Sequence, residues 1–329
     1  MQRFLPRQWA LLLLVPLLVS VALLVPRWLP REYKLATYQL LLNQLAWLVV
    51  PYIALALYCA WRAFSAKRWA RLLLALTITI GAASAGYARF VEPTQLQVRQ
   101  TTIVVGASAR IALISDLHIG LYQGLDRTAQ IVDKLNALDV DAVLVAGDWT
   151  YEPARPLAEL FAPFARCRHR VLSVPGNHDE ELPGPPLATE LRAALIANRI
   201  EPIEGQSVQV NHLQIVGMGD RWARKDSLVP LVPFAARGPV TIALAHNPDS
   251  VDRLVGTHVK LLLAGHTHGG QINIPYLTEI ILGKYTRGDF KRGLYQRGEQ
   301  QVYVTAGLGV TGAPLRFNQV PTIDVLNLR

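Results

Sequence analysis

The sequence predicts an α/β fold preceded by an all-α, three-span transmembrane region. Three observations predict it. Uncharged apolar runs fill most of the first hundred residues. Beyond residue 100, short apolar strands alternate with amphipathic segments. Five of those strands run directly into side chains of the kind that ligate metal ions.

Charge separates the same two regions. Residues 1–100 carry 11 Lys and Arg against two acids, Glu32 and Glu92, whereas residues 101–329 carry 22 of each sign. The net charge of +9 therefore belongs to the apolar third. Cations that flank membrane spans account for it, and no nucleic-acid partner is expected.

The predicted transmembrane region is 1–88, with spans at about 9–25, 38–61 and 72–87. Each approaches the roughly 20 residues that cross a hydrocarbon core, and none contains Asp, Glu, Lys or Arg. Trp9, Trp28, Trp61 and Trp69 stand at or near the span ends, where an amphipathic ring favours the headgroup zone. Pro16 and Pro51 fall inside spans, which membrane helices tolerate better than soluble ones. Arg3 and Arg7 precede the first run as they would in a signal peptide, but no small-x-small cleavage site follows it. Arg62, Lys67, Arg68 and Arg71 crowd the loop between the second and third spans. That favours a cytoplasmic loop and an extracytoplasmic C-terminal domain, with Arg27, Arg31 and Lys34 counting against it. Spans without ionisable groups argue against a transporter. Cys59 and Cys167 build neither a disulfide framework nor a cysteine-rich zinc site.

A linker, 89–100, leads into the domain at 101–329. Predicted strands are 111–114, 142–145, 170–174, 240–244 and 259–263, with helices over 125–138 and 191–197. The strand ends deliver Asp116-Leu117-His118, Gly147-Asp148, Gly176-Asn177-His178-Asp179, His246-Asn247 and Gly265-His266-Thr267-His268-Gly269-Gly270. Open α/β sheets gather ligands at that edge, because the loops there converge on one crevice. Seven of these side chains suffice for two divalent ions, and imidazole mixed with carboxylate suits manganese, iron or zinc. Two such ions trap a hydroxide between them that can attack phosphorus in line with the leaving oxygen.

The ordered set D-x-H, GD, GNHD, H and GHTH resembles the calcineurin-like metallophosphoesterase superfamily. His246-Asn247-Pro248-Asp249 and the GHTHGGQ stretch at 265–271 are most similar to its bacterial membrane-associated branch. The resemblance covers roughly residues 100–329 and implies a β-sandwich flanked by helices. It implies that Asp116, His118 and His268 hold one metal and Asn177, His246 and His266 the other, with Asp148 bridging. It implies that His178 is the non-ligand histidine that stabilises the transition state or protonates the leaving oxygen. Many relatives carry an Asp three residues after the bridging carboxylate, where this chain has Tyr151; Asp179 or Glu180 is a candidate replacement, and Asp179 is equally a candidate helix cap. Relatives with Pro-Glu near the C-terminus differ from Pro321-Thr322 here.

The expected function is a two-metal phosphohydrolase acting on a phosphomonoester, phosphodiester or pyrophosphate at or near the bilayer of a bacterial inner membrane. A UDP-diacylglucosamine-type lipid pyrophosphatase is one alternative, although that substrate is cytoplasmic. A non-catalytic metal-binding scaffold is the other, although no ligand position is lost. Arg221 and Trp222 after a Gly-Met-Gly turn, and Lys284 and Arg287 after the GHTHGG cluster, are candidate substrate or lipid contacts. Composition leaves the oligomeric state open.

Overall fold

The computed structural model describes residues 7–180, 186–227, 239–287 and 290–329. Arg3 lies outside them, as do the side chains of Arg27, Arg31 and Lys34. The chain forms two compact units, Met1–Glu92 with Gly312–Leu315, and Pro93–Thr311 with Arg316–Arg329.

The first unit is helical: α1 (Arg7–Ala22), α2 (Arg31–Leu45), α3 (Val49–Ser65) and α4 (Trp69–Phe90). Ala56, Cys59, Ala60 and Ala63 recur at helical spacing on α3 and are buried together with Ala75 of α4, Trp9 and Leu12. Small side chains let neighbouring helices approach closely, which is how apolar helices pack when lipid leaves no hydrophobic drive between them. The bulky residues point outward: Leu57, Trp61, Phe64, Leu73 and Ile80 are all exposed.

Two stretches, Thr37–Ser65 and Trp69–Thr94, are long and apolar enough to cross a membrane. The three-span expectation is corrected to two candidate spans among the described residues. Among the described residues the first run forms the 16 residues of α1, about 24 Å at 1.5 Å per residue, against a core of about 30 Å.

Among the described residues the second unit holds fourteen strands. They are β1 (Gln97–Ile103), β2 (Ala109–Ile114), β3 (Ile119–Gly120), β4 (Ala142–Ala146), β5 (Thr150–Tyr151), β6 (Val171–Val174) and β7 (Ile200–Pro202). Then come β8 (Ser207–Val210), β9 (Leu213–Gly217), β10 (Val240–Leu244), β11 (Leu261–Ala264), β12 (Gly293–Arg297), β13 (Gln300–Val304) and β14 (Thr322–Leu328). β1 starts inside the stretch read as a linker. Among the same described residues four α-helices accompany them: α5 (Leu125–Asn136), α6 (Leu157–Leu160), α7 (Ala188–Ala197) and α8 (Leu277–Leu282).

Twelve strands build two sheets of six, ordered β1-β14-β2-β4-β6-β7 and β12-β13-β11-β10-β9-β8. In each sheet four neighbouring strands run parallel, β2-β4-β6-β7 in one and β9-β10-β11-β13 in the other. Ile111, Leu113, Leu144, Leu172, Ile242, Leu244, Leu261 and Leu263 meet in a single buried core, so the sheets face each other. The alternate residues Ala112, Ile114, Val143 and Val145 pack outward with Ile131 and Leu135 of α5 and Leu191 and Leu195 of α7. Burial on both faces explains why these strands read as continuous apolar runs. The mixed α/β class is as the sequence predicts. The parallel strands β2, β4 and β6 of one sheet and β10 and β11 of the other end at the same rim, where the candidate ligands emerge.

Candidate metal centre

Each candidate residue lies within four positions of a strand end, and the backbone there is unusual. Asp116, His118, Asp148, His266 and His268 all have positive φ, between 48° and 71°. Non-glycine residues rarely adopt that region, and such strain gathers at functional sites where the surroundings enforce it. The enforcement is visible. Asp116 N donates to Gly147 O at 2.9 Å and His118 N to Asp148 O at 3.1 Å. A Cβ on Gly176 would run into the Asp148 carboxylate, and one on Gly307 would lie 2.7 Å from the Asp116 Cβ. Glycine is required at both places because the backbone forms a wall against a carboxylate.

Asp116, His118, Asp148 and His268 form one group, all buried, with one ligand atom of each within 4.8 Å of the others. His118 Nε2 lies 3.0 Å from His268 Nε2 and 3.5 Å from Asp148 Oδ2. His268 Nε2 lies 3.4 Å from Asp116 Oδ1. On the other side of Asp148, His246 Nε2 is 3.2 Å from Asp148 Oδ2 and 3.0 Å from Asn177 Oδ1. His266 Nδ1 is 2.9 Å from Asn177 Oδ1 and 3.1 Å from His246 Nε2. The structure thus brings together all seven predicted ligands, in two clusters that share Asp148.

Ring orientation fits a cation. His118 Nδ1 and His246 Nδ1 donate to the carbonyls of Thr150 (3.2 Å) and Ala146 (2.8 Å). That hydrogen bond fixes the tautomer and turns Nε2 of each ring toward the cluster. Nitrogen and oxygen lone pairs crowd around Asp148 with few protons between them, an arrangement that a divalent ion resolves.

The electrostatics agree at three of the four ligand histidines. Burial pushes the pKa values of His118 and His266 down to about 3 and lowers that of His268 well below the ordinary value. Those rings are neutral and hold free lone pairs near neutral pH. Burial lowers His246 as well, but the Asp148 charge and its hydrogen bond outweigh this, aided by Asp116 and Asp220, and carry it up to about 10. Burial works against the charged Asp148, yet His246, His178 and His118 hold its carboxyl well below the usual range.

His178 stands apart. It is half-buried, its backbone N–H donates to Asp148 Oδ1 at 2.9 Å, and its ring lies edge-on to His118 at 4.9 Å and 5.2 Å from Tyr151. Asp179 does not orient it. Its carboxylate accepts from Trp149 N, Thr150 N, Thr150 Oγ1 and Gly176 N at 3.0–3.1 Å. Glu180 is likewise occupied, by Lys225 Nζ at 2.6 Å.

The other candidates fall into two groups. Trp222 stands edge-on to His266 at 4.9 Å. Arg221 is engaged instead by Asp226 (3.0 Å) and Asp252 (3.1 Å), while Lys284 and Arg287 are exposed beyond α8.

Sequence reasoning missed two supports. Ser115 Oγ donates to Asp116. Arg316 is fully buried and donates to the carbonyls of Ala306, Gly309 and Gln319, with its charge acting on Asp116 and His268. A signal for Arg316 was present: it is the one charged side chain between Tyr303 and Asp324.

Residues 109–270 match the family model of the calcineurin-like phosphoesterases. The chain belongs to that superfamily. An uncharacterized metallophosphoesterase, YkuE of Bacillus subtilis, is 29% identical over 266 residues, 74% of this chain and 89% of the relative. The phosphodiesterase YaeI of Escherichia coli is 27% identical over 278 residues, 78% of this chain and 98% of the relative. A bovine transmembrane protein with a metallophosphoesterase domain is 27% identical over 244 residues, 68% of this chain but 53% of the relative. This calcineurin-like metallophosphoesterase is a metal-dependent phosphoester hydrolase with a phosphate-containing substrate, and two of its helical stretches are long and apolar enough to cross a membrane.

Proposed function

We propose that the chain is a two-metal phosphohydrolase acting on a phosphomonoester, phosphodiester or pyrophosphate at or near a bilayer. The observation that supports this most is Asp148, buried between the two clusters and within 3.5 Å of a histidine in each. Asp116, His118 and His268 would hold one ion, Asn177, His246 and His266 the other, and Asp148 would contribute to both. The mixed imidazole and carboxylate set suits manganese, iron or zinc. Divalent ions bound there supply Lewis acidity to the phosphoryl oxygens and an activated water as nucleophile.

The chain's own residues do the rest. Carbonyls of Ala146 and Thr150 fix the rings of His246 and His118 before any substrate arrives, so no reorganisation is required during reaction. His178 is the half-buried ring beside the shared carboxylate. Burial lowers its pKa and His246 adds to this, against the opposing pull of Asp148. Its neutral ring donates an N–H to a phosphoryl or leaving oxygen.

Purified protein with Mn²⁺ is expected to hydrolyse bis-p-nitrophenyl phosphate or the monoester, and chelator should remove the activity. His178→Ala should lower kcat by about 10²-fold or more while retaining most of the bound metal. Full activity in chelator would rule out the metal mechanism. Equal loss of metal in His178→Ala would make His178 a ligand rather than a donor.

Location follows from the cations. Arg62, Lys67, Arg68 and Arg71 surround the turn between the two candidate spans. Cytoplasmic placement of that turn puts the hydrolase domain of a multi-pass inner-membrane protein outside the cytoplasm. A C-terminal alkaline phosphatase fusion should then be active, and an inactive fusion beside a fluorescent cytoplasmic reporter would reverse the sidedness.

A further inference from the structure

The segment that follows the last ligand histidines is the most apolar exposed surface of the hydrolase unit among the described residues. Ile274, Tyr276, Leu277, Ile280, Ile281 and Tyr285 are all exposed, with Tyr276 at 86% and Ile280 at 68%. They fall within twelve residues that contain α8. Monomeric soluble proteins rarely show such a contiguous patch unless it meets a partner.

The segment is built to be held in place. Thr278 and Leu282, on the inner side of α8, are buried. Thr278 Oγ1 donates to Ile272 O at 2.7 Å and accepts from Ile274 N at 2.8 Å. The Thr278 methyl fills the space that a Cβ on Gly270 would need, and Thr267 Oγ1 donates to Lys291 O at 2.5 Å. The outer side chains are thus fixed outward on a support that also carries His266 and His268.

Composition selects the occupant. Aliphatic side chains at the centre stand between two exposed tyrosines, and Lys284 and Arg287 are exposed at the end of the segment. The one acid of α8, Glu279, is neutralised by Lys291 Nζ at 2.8 Å. Apolar centre, tyrosines and a cationic edge are the features of an element lying in the headgroup region of an anionic bilayer. Two candidate spans in the same chain keep a bilayer within reach. We propose that residues 274–287 insert into the lipid interface and present membrane-borne phosphate esters to the adjacent metal centre. The substrate part of this proposal rests on the hydrolase reading above, whereas the insertion does not.

The test uses the full chain reconstituted in phosphatidylcholine vesicles, with and without phosphatidylglycerol. Spin labels are placed by Ile280→Cys, Tyr276→Cys and Gln209→Cys in a Cys59→Ala, Cys167→Ser background. Labels at 276 and 280 are expected to be accessible to oxygen and protected from a water-soluble nickel reagent, more so with phosphatidylglycerol; exposed Gln209 should show the reverse. Water-like accessibility at both 276 and 280 would overturn insertion. Protection from both reagents, with dipolar coupling between chains, would assign the patch to a second copy and overturn it too.

A kinetic comparison separates the two readings. Ile280→Asp with Ile281→Asp should raise KM for phosphatidic acid in vesicles by about tenfold or more, with bis-p-nitrophenyl phosphate turnover unchanged. Equal KM values for phosphatidic acid would overturn presentation by this segment. A wild type inactive on every phosphate ester, with labels still immersed, would overturn the hydrolase reading and leave insertion standing.

Discussion

Asp148→Ala is expected to lower hydrolysis by at least about 10³-fold, some 4 kcal/mol of transition-state stabilisation, and to reduce bound metal at both clusters. The reason is its position. Its Oδ2 faces His118 at 3.5 Å and His246 at 3.2 Å, and its Oδ1 accepts the His178 backbone N–H. Among the described residues, no other side chain in the rim touches members of both clusters together with the His178 backbone. Its removal would take negative charge from each ion held there and would free the His178 backbone in one step.

The metal-free protein offers a second readout of the same substitution. Asp148 is the chief cause opposing burial at His246, whose pKa stands near 10 against an ordinary 6.5. A raised pKa means that the folded state holds a proton which the unfolded state has released. Its stabilisation is complete below about pH 6.5 and is lost as pH rises toward 10. Metal-free wild type should therefore lose stability over that interval in denaturant titrations. Asp148→Ala should show a much flatter profile, because His246 loses its main partner. Parallel profiles would show that the Asp148–His246 pairing is not the source.

Asp179→Ala is expected to destabilise the hydrolase unit by about 3–5 kcal/mol. The carboxylate takes three backbone N–H groups and one hydroxyl in a buried place. Truncation would leave those donors unpaired, and each buried orphan costs about 1–3 kcal/mol before relaxation. For a domain of this size the melting temperature should fall by roughly 10 °C. The acceptors bind the turn after Asp148 to the turn before His178, so metal affinity should fall as well. Asp179→Asn keeps one acceptor and should recover part of the loss. A melting temperature within about 2 °C of wild type would contradict the clamp.

The candidate site was legible because each ligand sits directly after a run of buried residues. The strands at 111–114 and 142–145 are covered on both faces, so their apolar runs stood out and the polar residues behind them were conspicuous. The outer strands were hidden for the opposite reason. β12 is largely exposed and alternates weakly, and β1 and β14 pair across more than 200 residues of chain, which no local pattern announces. Asp179 shows the same limit at one residue. Its neighbours suggested a cap or a partner for His178, while its actual donors come mostly from a loop thirty residues earlier. Arg221 also changes meaning in three dimensions, since Asp226 and Asp252 engage it and the ring of Trp222, beside it, reaches His266. The first apolar run misleads through its length: α1 is apolar throughout its middle yet shorter than a span among the described residues.

The most direct test is an anomalous difference map from crystals of the Mn²⁺-loaded protein, collected at the manganese edge. Two peaks are expected, one among Asp116, His118, Asp148 and His268, the other among Asp148, Asn177, His246 and His266, with Asp148 touching both. A single peak at saturating Mn²⁺, or two peaks that do not share Asp148, would contradict the two-metal account.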